Sequence, residues 1–591
     1  MSDRDHAPLP IRESLKGRHI FLTGGSGFVG KVWLAMALTQ LPEIERIYVF
    51  LRPKALVPAR QRFEKMINTS RAFRPLHERY GRDLGAFLSE RVEIVEGELT
   101  EPDLGLAPAL VRRLKRDLDV FIHCAGLVDF NPDLRKALSS NVDATMRVAD
   151  FVEHCDHASL LHISTCYVAG MRYGDIPETL ETNFAPTAEN FSARAELAEA
   201  HARIDTIVRA HSTDAVMHSL REEVLSELKD QGRHEPSQHL VETLTRKRQR
   251  EQQKRALEDE GMERAKRLGW HNTYTYSKSL AESLLAQRRS RLRCAVLRPS
   301  IVESALEFPE PGWNESFNGS APLAYIMGSW FRMVPARPDA PFDVIPVDLV
   351  SRAMTNIAAA LVTDRHSPVY HIGTSDRHRC SVGRAAELIV LSHRRHLRHH
   401  QHSRSERVLK SRWDAILVEP DHPLGIKTPR ALVRGFDEAL DLLPRRLRNK
   451  LSNLSRKVHE LDDDFAQIEK LVTLYLPFMY ESFYVFKSAA IDTHRSLEPE
   501  FEWGPNVFDW RKYWLDIHMP GLRRWAFPLI EGKRPERYRA EHITRLGDQN
   551  GAGHAARAGE DGARPLNANH ASNGSANGSS GVDLSTSNDQ P

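Results

Sequence analysis

The segment Thr23-Gly24-Gly25-Ser26-Gly27-Phe28-Val29-Gly30 constrains this chain more than any other part of it. It follows the apolar run His19-Ile20-Phe21-Leu22, which has the length of a buried strand, and it leads into an apolar helical pattern over residues 29–38. Glycines at a strand-to-helix junction permit a tight turn and let backbone N–H groups approach a pyrophosphate, which the helix dipole also favours. An ordinary glycine-rich turn has the same look. The rest of the chain has to decide between the two.

Strand-like runs recur at βαβ spacing over residues 46–52, 91–96, 119–124 and 160–165, with apolar helical stretches between them such as residues 142–152. This rhythm predicts a doubly wound α/β fold, a parallel sheet covered by helices on both faces. Ligands of such sheets lie at the carboxyl ends of the strands. The second run ends at Arg52 and is followed by Lys54, where a site for NAD would carry an acid for the ribose hydroxyls. Arg52 is placed to meet a 2′-phosphate, so NADPH is the expected cofactor.

Far downstream stands Tyr274-Thr275-Tyr276-Ser277-Lys278, at the start of a helical pattern over residues 274–285. Tyr274 and Lys278 are one helical turn apart and share a face. A phenol titrates at about 10 unless a nearby cation favours the phenolate, and Lys278 is expected to supply that cation. An ordinary amphipathic pair has this spacing too, but a dinucleotide cradle in the same domain and a hydroxyl at a strand end select the catalytic reading. Ser164 and Thr165 are neighbours, which strand alternation puts on opposite faces, and Thr165 is assigned as that hydroxyl. Cys166 raises a rival route through an acyl-enzyme, yet the same alternation turns it inward as a small hydrophobe. The five cysteines show no metal-ligand spacing, and with no segment of signal-peptide type they point to a reducing compartment without disulfides or metal.

Three blocks carry a narrower likeness. They are Leu297-Arg298-Pro299-Ser300-Ile301-Val302-Glu303-Ser304 with Pro309-Glu310-Pro311-Gly312-Trp313-Asn314, then Phe317-Asn318-Gly319-Ser320-Ala321-Pro322-Leu323, and finally Phe508-Asp509-Trp510-Arg511-Lys512-Tyr513-Trp514 with His518-Met519-Pro520-Gly521-Leu522. With the cradle and the dyad, the chain resembles an extended short-chain dehydrogenase/reductase. The blocks are similar to those of the fatty acyl-CoA reductases, particularly the bacterial alcohol-forming type, from about residue 15 to about residue 530.

The resemblance implies a catalytic set of Thr165, Tyr274 and Lys278. It implies cofactor contacts from Thr23, Gly24, Gly27, Phe28, Val29, Gly30, Arg52, Glu98, Asn141, Tyr274 and Lys278. Glu98 lies in Gly97-Glu98-Leu99, where Gly-Asp-Leu is usual, and Asn141 read without the resemblance would be a helix cap. The implied activity is NADPH-dependent reduction of a long-chain acyl-CoA through an aldehyde to the primary alcohol. An aldehyde-forming reductase of acyl-CoA or of a carrier-bound thioester is the enzymatic alternative. A dinucleotide-sensing scaffold is the alternative of another class, although such proteins commonly lack the dyad.

The expected organisation is a dinucleotide-binding domain over residues 1–375 with a helical insertion at about 185–268, a mainly helical domain over 376–540, and a disordered tail over 541–591. The insertion, rich in Glu, Arg, Lys, Ala and Leu, reads as a packed helical decoration or as a lid or docking surface. The tail is too polar to offset chain entropy. The aromatics Phe478, Tyr480, Phe483, Tyr484 and Phe486 read as core or as part of an acyl trough. The apolar stretch at residues 471–480, broken by Pro477, is shorter than the roughly 20 residues that span a bilayer. The run His393-Arg394-Arg395-His396-Leu397-Arg398-His399-His400-Gln401-His402 suits a solvated face or an anion contact better than a metal, because arginines repel the ion. A net charge of +3 excludes nucleic acid as a partner on composition. A cytoplasmic location is expected, with peripheral contact at a membrane left open.

Overall fold

The computed structural model describes residues 8–547 except 54–56, 234, 316–318, 329–332, 400–413, 423–426, 442–451, 482, 505–507 and 537. Lys54, His400 to His402 and the tail after residue 547 lie outside the described residues.

The strands in chain order are β1 (His19–Thr23), β2 (Arg46–Leu51), β3 (Val92–Glu96), β4 (Val120–His123), β5 (Ser159–Ile163), β6 (Tyr173–Ile176), β7 (Cys294–Pro299), β8 (Ile301–Glu303), β9 (Met333–Pro335), β10 (Val344–Pro346), β11 (Val369–Ile372), β12 (Ile416–Val418) and β13 (Phe483–Phe486). The helices used below are α1 (Phe28–Gln40), α2 (Ala59–Thr69), α3 (Leu134–Leu138), α4 (Ala144–Glu153), α5 (Ala193–Ala210), α6 (Asp214–Asp230), α7 (Gln238–Arg267), α8 (Thr273–Ala286), α9 (Val347–Val362), α10 (Val382–His399), α11 (Ser452–Leu476) and α12 (Met519–Trp525).

Seven strands form one parallel sheet in the order β11-β7-β5-β4-β1-β2-β3. This is the expected doubly wound fold. The strand order reverses between β1 and β4, so a crevice opens at their carboxyl ends. Alternation sends Ile20 and Leu22 of β1 into one apolar core with Trp33 of α1 and Ile357 of α9, while Phe21 enters the other with Val148 of α4 and Leu285 of α8. Both faces are therefore dry, which is why these strands are nearly all apolar.

The insertion contributes α5, α6 and α7, whose N-cap hydroxyls on Ser192, Thr213 and Ser237 each accept from the third backbone N–H of the following helix. Its apolar face packs against α3 and α8 through Ile204, Leu257, Trp270 and Leu280. The buried guanidinium of Arg264 bonds Glu196, Glu199 and Glu260 at 2.9 Å each, and Tyr276 of α8 donates to the same Glu196 at 2.8 Å. The insertion thus buttresses the helix that carries Tyr274 and Lys278, and its charged face is left to solvent.

Beyond residue 375 the chain turns back onto the sheet domain. β13 pairs in parallel with β6, and β12 with β9. Trp514, Met519 and Leu522 lie in the same apolar cluster as Leu9, Trp33 and Ile357. In the His/Arg run, His393 bonds the carbonyl of Ala324 at 2.9 Å, Arg394 pairs with Asp414 at 3.0 Å and Arg395 with Asp516 at 2.6 Å. These side chains tie α10 to its own chain. Among the described residues no helix is long and apolar enough to cross a membrane.

Candidate active site

Residues 23–30 pass from β1 into α1 as a close-packed backbone turn. Gly24 has φ 72°, and a Cβ there would lie 2.6 Å from the carbonyl carbon of Cys124 at the end of β4. A Cβ on Gly30 would lie 2.3 Å from the carbonyl oxygen of Gly24, whereas one on Gly27 would lie 3.2 Å from it. Gly27 is the N-cap of α1 and offers no side chain to the first helical N–H groups, those of Phe28 and Val29 among them, while the N–H of Gly30 meets the Cys124 sulfur. Uncapped N–H groups at a helix N-terminus, with backbone able to approach closely, fit a pyrophosphate.

Arg52 is exposed directly beyond β2, and the guanidinium of Arg62 donates to its carbonyl. Two arginines, Arg52 and Arg62, therefore lie together just past the carboxyl end of β2. Glu98 is half-buried just past β3, its N–H bonded to Leu104 at 3.0 Å. Arg52 and Glu98 both lie just past the carboxyl ends of the neighbouring strands β2 and β3.

At the end of β4 a directed chain of hydrogen bonds crosses the site. Ala125 N–H donates to Thr23 Oγ1 at 3.2 Å, Thr23 Oγ1 is 2.9 Å from His123 Nδ1, and His123 Nε2 is 3.2 Å from Thr145 Oγ1. Thr145 donates to the carbonyl of Asn141 at 2.7 Å. Thr145 Oγ1 must then accept from Nε2–H, which leaves Nδ1 to accept from Thr23 and fixes one neutral tautomer of His123. Burial first, and then the Lys278 charge, push His123 down to about 3, in keeping with that neutral ring.

Asn141 is not a cap. It sits in a single π-turn, Ser139–Asp143, inside the continuous helical run from α3 to α4. The wider turn lets its amide hold Leu127 at both ends, accepting from the N–H at 2.7 Å and donating to the carbonyl at 3.0 Å, while donating to Ser277 Oγ at 2.9 Å. Ser277 in turn donates to the carbonyl of Tyr274 at 2.9 Å. The loop after β4 and the first turn of α8 are locked together through one amide.

Lys278, on the same face of α8 as Tyr274, reaches the carbonyl of Ile163 at the end of β5 with its Nζ at 2.7 Å. Burial lowers this amine to about 8, an effect that Cys124 and Glu282 oppose. Tyr274 behaves differently from the expected depressed phenol. Burial, with Cys124 and Glu282 adding, pushes its pKa up. As the structure stands, Tyr274 is a firmly protonated donor.

Thr165 lies two residues past β5 and not on it. Its Oγ1 accepts from Tyr167 N–H at 3.3 Å and opens the short 3₁₀ turn Cys166–Ala169. That turn, and not strand alternation, puts Cys166 inside: it is fully buried, its Sγ donates to Arg298 O at 2.9 Å, and burial pushes the thiol well up. A protonated, sequestered thiol is a poor nucleophile.

Aromatic side chains wall the space next to Tyr274. Phe130 lies 6.3 Å from Tyr274, 6.1 Å from Tyr475 and 5.6 Å from Phe478 by ring centroids, and Tyr167 meets Phe478 edge-on at 4.9 Å. Tyr484 donates to Gly170 at 2.6 Å and sits 3.0 Å from His271 Nε2, which ties β13 to the turn after Thr165. Of the aromatics expected in an acyl trough, Phe478 reaches this wall. Tyr480 instead bonds Glu419, and Phe483 lies beneath Arg379.

Several participants were not apparent beforehand. Trp313 stacks on Phe28 of the cradle at 5.1 Å, and Lys31 pairs with Glu315 at 2.8 Å, which also binds Ser70 and the backbone of Arg71. The segment from Trp313 to Glu315 therefore braces the glycine turn from behind. The C-terminal block meets the same region: Tyr513 donates to Ser304 O at 2.7 Å, and Gly312 and Gly521 pack so closely that a Cβ on Gly521 would lie 2.0 Å from Gly312 O. A single lysine inside the apolar run of α1 was the available signal for a buried partner.

The male sterility protein family model matches residues 22–354 of the chain. Fatty acyl-CoA reductase 1 of Arabidopsis thaliana is 26% identical over 535 residues, covering 86% of this chain and 97% of that protein. The alcohol-forming fatty acyl-CoA reductase of Simmondsia chinensis is 26% identical over 537 residues, covering 87% and 98%. Among solved structures, the terminal R domain from the myxalamid biosynthetic pathway aligns over 90% of this chain and 98% of its own, at 17% identity and a TM-score of 0.47.

Proposed function

The chain belongs to the male sterility protein family, and on that premise we propose that it is an NADPH-dependent reductase that converts long-chain acyl-CoA through the aldehyde to the primary alcohol. The observation that carries this reading is the 2.7 Å contact from Lys278 to Ile163, which gathers the dyad of α8 and the Thr165 turn at the strand end facing the glycine cradle. The names of the relatives supply the thioester substrate.

The first turn of α1 would hold the pyrophosphate, Arg52 the 2′-phosphate, Glu98 the adenosine side, and Asn141, Tyr274 and Lys278 the nicotinamide half. When bound, the dinucleotide supplies the hydride. Thr165 hydrogen-bonds the substrate carbonyl oxygen and fixes its direction. Tyr274 donates its phenolic proton to that oxygen as negative charge develops. Lys278, cationic below about pH 8, stabilises the phenolate left behind and the ribose hydroxyls. Ser277 and Asn141 hold the first turn of α8 so that Tyr274 stays in place. Phe130, Tyr475 and Phe478 exclude water and receive the acyl chain, each buried methylene contributing about 0.8 kcal/mol.

The test is stoichiometric. Purified protein is given a long-chain acyl-CoA and excess NADPH, and the NADPH oxidised per CoA released is measured. A ratio near two supports full reduction to alcohol, and a ratio near one assigns the protein as aldehyde-forming.

A further inference from the structure

Glu303 takes no part in the chemistry above, yet its surroundings are built around it. It ends β8 with no solvent exposure, Oε1 accepts the N–H of Ser320, and Oε2 has no hydrogen-bond partner among the described residues. Gly319, at φ 73°, lays its backbone against the carboxyl, where a Cβ would come within 2.6 Å of Oε1. Behind it runs a polar chain drawn from both ends of the sequence. Asn314 Nδ2 bonds Ser304 Oγ at 3.1 Å, Ser304 Oγ lies 2.8 Å from His518 Nδ1, and His518 Nε2 lies 2.9 Å from Ser320 Oγ.

Among the described residues no cation balances this carboxyl. The nearest candidate, His518, has Nε2 3.7 Å from Oε2, but it is fully buried and burial holds it neutral at about 3. The other groups within electrostatic reach are the phenols of Tyr167, Tyr475 and Tyr513. A buried carboxyl among neutral groups keeps its proton, and burial pushes Glu303 up to about 8. Tyr167 and Tyr475 also belong to the aromatic wall that contains Tyr274. An acid with a proton to give and an unused oxygen therefore lies within electrostatic reach of the aromatic wall beside Tyr274.

The two reductions differ in one requirement. Both need a proton on oxygen, and only the thioester needs one on the departing sulfur. Resting on the thioester reading above, we propose that Glu303 is the acid that protonates the CoA sulfur as it leaves. After hydride and the Tyr274 proton reach the carbonyl, a hemithioacetal stands in the pocket. Its hydroxyl proton returns to the Tyr274 phenolate, the O–H electron pair forms C=O, the C–S bond breaks with its pair on sulfur, and sulfur takes the Glu303 proton. Glu303, now a carboxylate, regains a proton from water after CoA departs. A thiol titrates at about 8.5, so donor and acceptor are closely matched.

The experiment is a single turnover with NADPH and a long-chain acyl-CoA, recording NADPH oxidation and free CoA thiol together, and then NADPH oxidation with the matching aldehyde. In the parent the first two signals coincide. In Glu303→Gln the first NADPH and the aldehyde react within about threefold of the parent, while CoA release lags by about a hundredfold. CoA release keeping pace with NADPH in the variant, or aldehyde reduction falling as far as CoA release, would overturn the proposal. The parent gives a test that does not depend on the variant folding. With acyl esters of thiols spanning several pKa units its release rate should change little, and a steep dependence on thiol pKa would overturn the proposal. A parent that reduces the aldehyde but no thioester removes the premise instead, an outcome distinct from all of these.

Discussion

The Nζ of Lys278 lies 2.7 Å from the carbonyl oxygen of Ile163, two residues before Thr165, and this contact joins α8 to the end of β5. It places a cation under a fully dry part of the sheet, beside His123 and His162, whose rings its charge helps to keep neutral. The fold lowers Lys278 to about 8, so between that value and its ordinary one near 10.4 the unfolded chain binds more protons. Burial of the amine therefore destabilises the fold below about pH 8, and the penalty fades as pH rises through that window.

Activity should follow the opposite sign, since the proposed mechanism uses the protonated amine. The parent kcat/KM should fall about tenfold per pH unit above about pH 8. Lys278→Met should lose about 10² to 10³-fold in activity and lack that limb, while its Tm at pH 7 stays equal or rises, because a buried cation is replaced by an apolar chain. A parent profile flat to pH 10 would contradict the assignment.

The cradle makes a graded prediction. Gly30→Ala puts a methyl 2.3 Å from Gly24 O, where backbone must move, whereas Gly27→Ala puts one at 3.2 Å, where a shift of a few tenths of an ångström suffices. NADPH titration by fluorescence should show at least about a tenfold weaker Kd for Gly30→Ala, roughly 1.4 kcal/mol or more, and a much smaller change for Gly27→Ala. Equal losses would mean that the two positions do not differ in how the turn packs.

The proposed role of Arg52 predicts a difference between the two dinucleotides. An exposed guanidinium meeting a phosphate makes charge-assisted bonds of about 1.5–3 kcal/mol, so Arg52→Ala should weaken NADPH binding about tenfold or more and leave NADH unchanged. An equal loss for both dinucleotides would remove the 2′-phosphate role.

Asn141→Ala strands three groups at once, the N–H and carbonyl of Leu127 and the hydroxyl of Ser277. Each buried group left without a partner costs about 1–3 kcal/mol, so chemical denaturation should show a clearly larger loss than for Ser277→Ala, which removes only one of these links. Similar losses for the two variants would deny Asn141 its place as the joint.

The parts legible in the sequence were those whose signals are local. Residues 19–30 and 274–285 carry periodicity and turn chemistry within a few positions, so the cradle, the parallel sheet and α8 followed from them. What escaped depends on residues far apart. The partner of Lys31 is Glu315, that of Ser304 is His518, and no local pattern connects them. Thr165 was assigned for its chemistry as the end of a strand, whereas it caps a 3₁₀ turn through a local bond to Tyr167, and the π-turn around Asn141 depends on tertiary bonds to Leu127 and Ser277. The phenol of Tyr274 was expected low from its neighbour Lys278 alone. Burial, which no spacing reveals, raises it, with Cys124 and Glu282 adding.

The central claim is that Tyr274 donates the proton in both reductions. The direct measurement is NADPH oxidation by the parent and by Tyr274→Phe, with a long-chain acyl-CoA and separately with the matching aldehyde, alongside NADPH affinity. The account predicts that the variant binds NADPH as the parent does and reduces both substrates about 10² to 10⁴-fold more slowly. A variant that reduces either substrate as fast as the parent would contradict it.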